Sequence, residues 1–457
     1  MGRATPVTPA GAPSWVTQKL DRWFHLTERG SSVRTELLAA LTTFATMSYV
    51  LAVHPLIMSD AGMDRAQVLT VTALVAATFS ILMGLMANLP IAQAPGMGAN
   101  ALVAYTIVLA MGVPWEAALG LVFWSGVLFL LLTITGIRRL MLVAYPIPLR
   151  QAMTVGIGLF IMFIGLKTSG ILVAAPAPAF IRIGELTHAP VLLSLLGIPL
   201  LLTLVSKKVP GAIIVCIAIL TAGGLFIATP DGSLTPLPSA LVSMPSGFGS
   251  LWMALDIGYL WSHFGAAFPV LLSLVFMDLF SSLAAMNAMC KRAGLVNEQG
   301  DMQKPTEALS ADALATIGAS LAGTSTTNCY AESAAGIESG GRSGLVAILV
   351  GLLFLASLVI SPLVLIIPAE ATAPALVFIG LLMFAEVREI DFDDMVGGAA
   401  AILTFLLMAV TTISDGMAMG LLIYVAGMLL TGRAREVHVF AYLLALTFVG
   451  YYAVAPV

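Results

Sequence analysis

The chain has 457 residues, of which 59% are hydrophobic and only 10% charged, with a formal net charge of −4. A soluble domain carries about 25% charged residues, and a mean hydropathy of +1.02 leaves too little charge to solvate a globular surface, so the chain reads as an all-α membrane protein of many spans. The charge balance and the lack of a basic cluster exclude nucleic-acid binding as the main task. Cys216, Cys290 and Cys329 each lie in or beside an apolar run, which excludes a disulfide scaffold.

Residues 1–34 hold Lys19, Arg22, Arg29 and Arg34 without an apolar run between them, and are expected to form a retained cytoplasmic tail. Apolar runs follow at about 35–58, 67–88, 91–112, 116–136, 151–168, 189–206 and 209–228. A Gly/Pro/Ser-rich connection spans about 229–258. Further runs lie at about 261–290, 308–322, 324–338, 343–367, 371–386, 396–413 and 414–431. A last run, 438–454, is either an extra helix or a sign that one broken helix has been counted twice.

Fourteen crossings with the N-terminus inside put seventeen Lys and Arg residues on the inner face, Arg138 and Arg139 among them. Only Arg65, Lys167 and Arg182 fall outside. That asymmetry follows the positive-inside rule. Seven crossings is an odd number, so two seven-helix halves enter from opposite sides and form inverted repeats, an architecture of secondary transporters.

Two segments are interrupted. Segment three contains Ala94-Pro95-Gly96-Met97-Gly98-Ala99-Asn100, and segment ten contains Gly323-Thr324-Ser325-Thr326-Thr327-Asn328-Cys329-Tyr330-Ala331-Glu332-Ser333. They occupy equivalent places in the two halves, the pattern that points to a midplane binding site. Half-helix ends leave backbone N–H groups free for a ligand.

Acids within such segments are costly and mark function. Asp278 sits mid-run in segment eight and Glu332 at the end of the interruption in segment ten. The plainer readings are a polar tie between helices for Asp278 and a helix-end acid for Glu332. The functional reading has both face one cavity, one holding the substrate and Asp278 carrying a coupling proton, a task open to any desolvated carboxyl. Asp312 reads as a helix N-cap, Glu370 as interfacial, Asp415 as a turn or cap, and His54 as a satisfied interfacial histidine. The chain lacks a phosphate-binding Gly-x-x-x-x-Gly-Lys-Ser/Thr loop, a His-Glu-x-x-His motif and any His/Cys cluster. No ATP-driven step, cofactor or metal site is implied, and nothing supports an enzyme.

Several stretches carry a specific resemblance: Thr42-Thr43-Phe44-Ala45-Thr46-Met47-Ser48-Tyr49, Ala94 to Ala101, Ala311-Asp312-Ala313-Leu314-Ala315-Thr316, Gly323-Thr324-Ser325-Thr326, Glu332-Ser333-Ala334-Ala335-Gly336 and Ala371-Thr372-Ala373-Pro374. On these the chain resembles the nucleobase:cation symporter-2 superfamily, in its adenine/guanine/hypoxanthine permease-like branch, from about residue 20 to 455. The resemblance implies fourteen transmembrane segments in two inverted seven-helix repeats. A core domain would comprise 35–136 and 259–367, and a gate domain 137–258 and 368–457. It places the substrate against Asp278, Glu332, Ala331 and the backbone of Gly98, Ala99 and Asn100, with Ser282 on the same wall. It also departs from the branch: Ser281 stands where a second acid is usual, His54 where Asn is usual, and Asn328-Cys329 where small hydroxyl residues are common.

The function expected is proton-coupled import of a purine base through the cell membrane, with the nucleobase, protons and the bilayer as partners and a homodimer left open. The alternatives are the same fold carrying uracil, xanthine or another small planar nitrogen compound, and an uncoupled facilitator.

Overall fold

The computed structural model describes residues 15–136, 145–175, 181–230, 232–238, 240–297 and 302–454. The expected domain boundary after residue 136, Arg138, Arg139 and the first fourteen residues of the tail lie outside the described residues.

The described chain is helical apart from short strand pairs. Segment one is two helices, Val33–Met47 and Val50–Asp60, with the break at Ser48 and Tyr49. Segments two, four, five, six and seven are Arg65–Met86, Trp115–Ile134, Ile147–Thr168, Ala189–Ser206 and Ala212–Gly224. Segments eight and nine are Phe264–Ala293 and Pro305–Ala322, and segment eleven begins as Gly344–Ser357. Segments twelve, thirteen and fourteen are Ala369–Phe384, Met395–Val410 and Ile413–Leu430. The last run is a separate helix, Val439–Val454, packed on segments fourteen and eight.

The helix starts follow local chemistry. Ser32 accepts from Thr35 N, Asp64 from Gln67 N, and Thr412 from Asp415 N, each satisfying a first-turn donor. Asp415, expected as a turn or cap, is instead the third residue of the helix that Thr412 caps, and its Oδ2 accepts from Thr412 Oγ1 at 2.7 Å. Segments eight and nine end on Gly294 and Gly323, at φ of 70° and 93°, where a side chain would strain the left-handed backbone.

Among the described residues nine helices are long and apolar enough to cross a bilayer, and four more are apolar but shorter. The shortfall from fourteen has physical causes. Segments three, seven and thirteen are short, and segment ten is a strand followed by a six-residue helix, Ser333–Glu338. Segment nine carries Glu307 and a buried Asp312.

Two groups of segments pack separately. In the first, segment two lies against nine and eleven, four against eight and nine, and one against ten and eleven. In the second, five lies against twelve, thirteen and fourteen, while six and seven lie against each other and twelve. The pattern repeats seven segments on: four meets nine as eleven meets two, and six meets twelve as thirteen meets five. Segments five and twelve touch backbone to backbone, since a Cβ on Gly158 would come within 2.6 Å of Gly380 O. The groups meet where segments five, twelve and fourteen face one, three and eight.

The two interruptions are one structure. Segment three enters as strand β1, Gln93–Pro95, and segment ten as strand β2, Thr327–Cys329. They pair antiparallel, with Gln93 opposite Cys329, Ala94 opposite Asn328 and Pro95 opposite Thr327. The ladder extends through Gly96 N to Thr326 O at 2.9 Å and Tyr330 N to Ala92 O at 3.0 Å. Extended backbone at this depth has no water to bind, so each strand supplies the other's partners. Segment three then continues as Met97–Ala101 and a π-helical stretch, Leu102–Ala110.

Candidate functional site

Around β1 and β2 the polar side chains of segments eight, nine and ten converge. Asp278, 1% exposed, accepts from Thr316 Oγ1 at 2.8 Å through Oδ2. Asn328, with its amide nitrogen turned toward acceptors, donates to Asp278 Oδ1 and to Thr327 O, and accepts from Ser281 Oγ. Asp312 accepts from Gln93 Nε2 at 2.8 Å, and Cys329 Sγ lies 3.7 Å from the same oxygen. Ser282 is buried beside Asp312, its hydroxyl without a hydrogen-bond partner. Asp312 is therefore no N-cap: its helix starts seven residues earlier, at Pro305, and its side chain turns inward on the strand pair. Ser281 and Asn328, two of the departures from the family pattern, touch one another.

Glu332 is held differently. It precedes the helix Ser333–Glu338 and is half-buried, while Ala331 beside it is exposed. Among the described residues its one side-chain partner is Tyr49, whose hydroxyl donates to Oε1 at 2.6 Å from the break in segment one. Tyr330 lies against Tyr49, ring centroids 6.5 Å apart, and donates to Pro95 O at 2.6 Å. Among the described residues Asp278 and Glu332 share no hydrogen-bonding partner.

In segment three the expected positions divide. Gly98 lies at the seam between the two groups of segments: a Cβ there would come within 2.7 Å of Ile157 Cγ2 on segment five, with Met277 Sδ on segment eight 3.8 Å away. Ala99 is buried. No side chain caps the start of this helix, so the N–H groups of Met97, Gly98 and Ala99 are the first-turn donors that a helix cannot satisfy internally. Asn100 corrects the expectation that its backbone is open to a ligand, because its N–H donates to Gly96 O at 2.9 Å. Its side chain lies 2.9 Å from His54 Nδ1, and His54 Nε2 lies 2.6 Å from Thr324 Oγ1. His54 is thus fully buried and bridged on both sides, not interfacial.

Sequence reasoning passed over Gln93, Thr316 and Tyr49. Thr316 lies four residues after Asp312 on one helix face, a signal available in advance. Gln93 and Tyr49 became visible only with the strand pairing and the break in segment one. A cavity of about 570 Å³ lies elsewhere, lined by Arg29, Asn88, Lys304 and Arg342. Buried charge, not cavity size, marks the candidate site. Among the described residues no three His, Cys, Asp or Glu side chains converge as a metal site.

A sequence model described as the Permease family matches residues 34–419. The adenine permease AdeP of Escherichia coli is 38% identical over 431 residues, 94% of this chain and 95% of that protein. The guanine/hypoxanthine permease PbuG of Bacillus subtilis is 36% identical over 446 residues, 94% of this chain and 98% of that protein. The transmembrane domain of the cyanobacterial bicarbonate transporter BicA shares the fold, with a TM-score of 0.63 at 13% identity over 85% of this chain and 97% of that one.

Proposed function

From the premise that the chain belongs to the permease family matched over residues 34–419, whose members include adenine and guanine/hypoxanthine permeases, we propose that it imports a purine base by proton symport. The site reading rests on one observation: Glu332, half-buried at the interruption of segment ten, has Tyr49 as its one side-chain partner. A carboxylate so placed has acceptor capacity left for ring or exocyclic N–H groups of a base. The first-turn N–H groups of segment three supply donors for the base's own acceptors. Asp278 carries the proton.

Transport then requires the site to face each side in turn. Packing that repeats after seven segments supports two inverted repeats of seven. Segments one to four with eight to eleven (35–136 and 259–367) act as the core, and five to seven with twelve to fourteen (137–258 and 368–457) as the gate. Gly98 lies on their seam. The distribution of Lys and Arg supports an N-terminus on the inner face of the cell membrane. A second reading, the same fold carrying another planar nitrogen compound, is favoured by the contact between Ser281 and Asn328, two positions at which the chain departs from the branch it resembles.

Proteoliposome uptake of adenine, guanine and hypoxanthine under an imposed pH gradient tests the proposal. Accumulation of at least one base, collapsed by a protonophore and independent of sodium, is the expected result. Accumulation of none, alongside uptake of uracil or xanthine, overturns the purine reading, and equilibration without accumulation overturns symport. Gly98→Val tests the seam: a valine must displace Ile157, so uptake is lost while expression and solubility persist. Normal transport by this variant would remove segment three from the moving contact.

A further inference from the structure

Proton symport through Asp278 leaves a second buried acid unused. Asp312 is fully buried in segment nine, and its Oδ1 is occupied by Gln93 Nε2 at 2.8 Å with Cys329 Sγ at 3.7 Å. Its Oδ2 and the hydroxyl of Ser282 make no well-aligned hydrogen bond to any other group, and the two lie close enough to act on each other. Thr316, one helical turn along from Asp312, donates to Asp278. Asn328, which donates to Asp278, and Cys329, which lies against Asp312, are consecutive residues of β2, so the two carboxyl groups belong to one polar cluster.

The surroundings offer nothing to neutralise them. The titratable group facing the pair from β2 is Cys329, with Cys290 of segment eight acting on that thiol in turn. From β1 comes the neutral Gln93, from segment nine only Asp312 and from segment eight only Asp278. Among the described residues no Lys, Arg or His ion-pairs with either acid. Two ionised carboxylates in one dry site without a cation are mutually destabilising, and such pairs resolve the conflict by holding one proton between them. The Ser282 hydroxyl can donate to Asp312 Oδ2 when it is ionised and accept from it when it is protonated, so it serves either state of the pair.

We propose that Asp278 and Asp312 form a proton-sharing pair, making Asp312 a second residue of the coupling site. The inference rests on the symport reading and extends it. The pair is tied to both strands, Asp278 through Asn328 on β2 and Asp312 through Gln93 on β1. Its charge therefore acts on the two pieces of backbone that lead directly into Gly98 and Glu332. Protonation at the pair and occupancy of the base site are coupled through the strand pair.

Infrared difference spectroscopy of the purified protein across a pH step reads protonated carboxyl groups directly. The wild type is expected to show a titrating carboxylic-acid band whose titration range is shifted in Asp312→Asn, kept in Asp312→Glu and whose frequency is displaced in Ser282→Ala. An unchanged band in folded Asp312→Asn overturns the proposal. Should that variant not fold, an undisplaced band in Ser282→Ala overturns it. Gradient-driven adenine uptake is measured on the same preparations. If the wild type shows the band but no purine is accumulated under a gradient, the symport reading fails while the shared proton stands. If accumulation is normal and the band is insensitive to position 312, the pair fails while symport stands.

Discussion

Asp278 and Glu332 are both acids deep among apolar segments, yet the fold holds them in opposite ways. Asp278 is closed in by Thr316 and Asn328 from segments nine and ten, with Asp312 one helical turn before that threonine. Glu332 is half-buried, next to an exposed Ala331, with a tyrosine hydroxyl on one oxygen. The contrast separates two tasks that residue type alone merges. An acid sealed among protein partners can exchange a proton but cannot reach a substrate; an acid with spare acceptor capacity beside open space can reach one. The strand pair between them is the shared support, since it carries Asn328 and leads through Tyr330 and Ala331 to Glu332.

The strongest way to break this contrast is Asp278→Asn. The amide keeps an oxygen for Thr316 but cannot exchange a proton, so accumulation against a gradient should vanish while base exchange between equal pools persists. Full gradient-driven accumulation by this variant would reduce Asp278 to a tie between helices. Loss of exchange as well as accumulation, in a protein that still elutes as a single folded species, would instead put Asp278 in the substrate's own contact set and dissolve the division of labour.

Glu332→Gln ranks next. It preserves shape but turns one acceptor into a donor facing the ligand's own N–H. Hydrogen bonds to a charged group contribute roughly 1.5–3 kcal/mol, so affinity should fall about 10- to 150-fold. Calorimetry with adenine, guanine or hypoxanthine, whichever the wild type binds, checks it. Unchanged affinity would leave Glu332 outside the site. Tyr49→Phe sharpens the same point with a smaller effect. It removes a neutral donor from Glu332 without touching the ligand, costing roughly 0.5–1.5 kcal/mol, or about 2- to 13-fold in affinity. An effect as large as that of Glu332→Gln would make Tyr49 a direct ligand contact.

These distinctions were only partly legible in the sequence. Hydropathy located the segments, because a span of apolar residues is required wherever a helix meets lipid. Segment eight, expected at 261–290, is Phe264–Ala293, and segment six coincides with Ala189–Ser206. The two interruptions were also readable, since Pro95, Gly96, Gly323 and a run of hydroxyl residues weaken helix locally. That they complete each other as an antiparallel pair was not, because the partners lie more than two hundred residues apart and neither strand alternates in polarity. Asp312 resembled a cap because it opens the apolar run at 308–322, whereas Pro305 starts the helix and leaves the acid inside it. His54 resembled an end because Pro55 follows it, yet that proline is accommodated within the helix Val50–Asp60. In each case a polar residue at the edge of an apolar run had two meanings, and only packing across the fold chose between them.

The smallest effect is expected where charge is exposed, and it provides the control for the buried acids. Arg433 Nη1 donates to Asp394 Oδ1 at 2.6 Å, and Arg433 Nη2 donates to Glu436 Oε2 at 2.7 Å, joining the start of segment thirteen to the end of segment fourteen. The Asp394 side chain is 27% exposed and that of Arg433 37%, so solvent screens most of their attraction. The arginine's hydrogen bond nonetheless holds the Asp394 carboxyl below the usual carboxylate range. A carboxyl whose folded affinity for protons is lowered contributes stability that is present at neutral pH and is lost as pH falls through its depressed range, here below about 4. Arg433→Gln should therefore lower the melting temperature slightly at pH 7, with the difference from wild type disappearing on acidification below that range. Uptake, its dependence on a pH gradient and base affinity should all remain at wild-type values. A transport defect in Arg433→Gln as large as that in Asp278→Asn would mean that the surface charges of segments thirteen and fourteen, and not the sealed acids beside the strand pair, set the proton dependence.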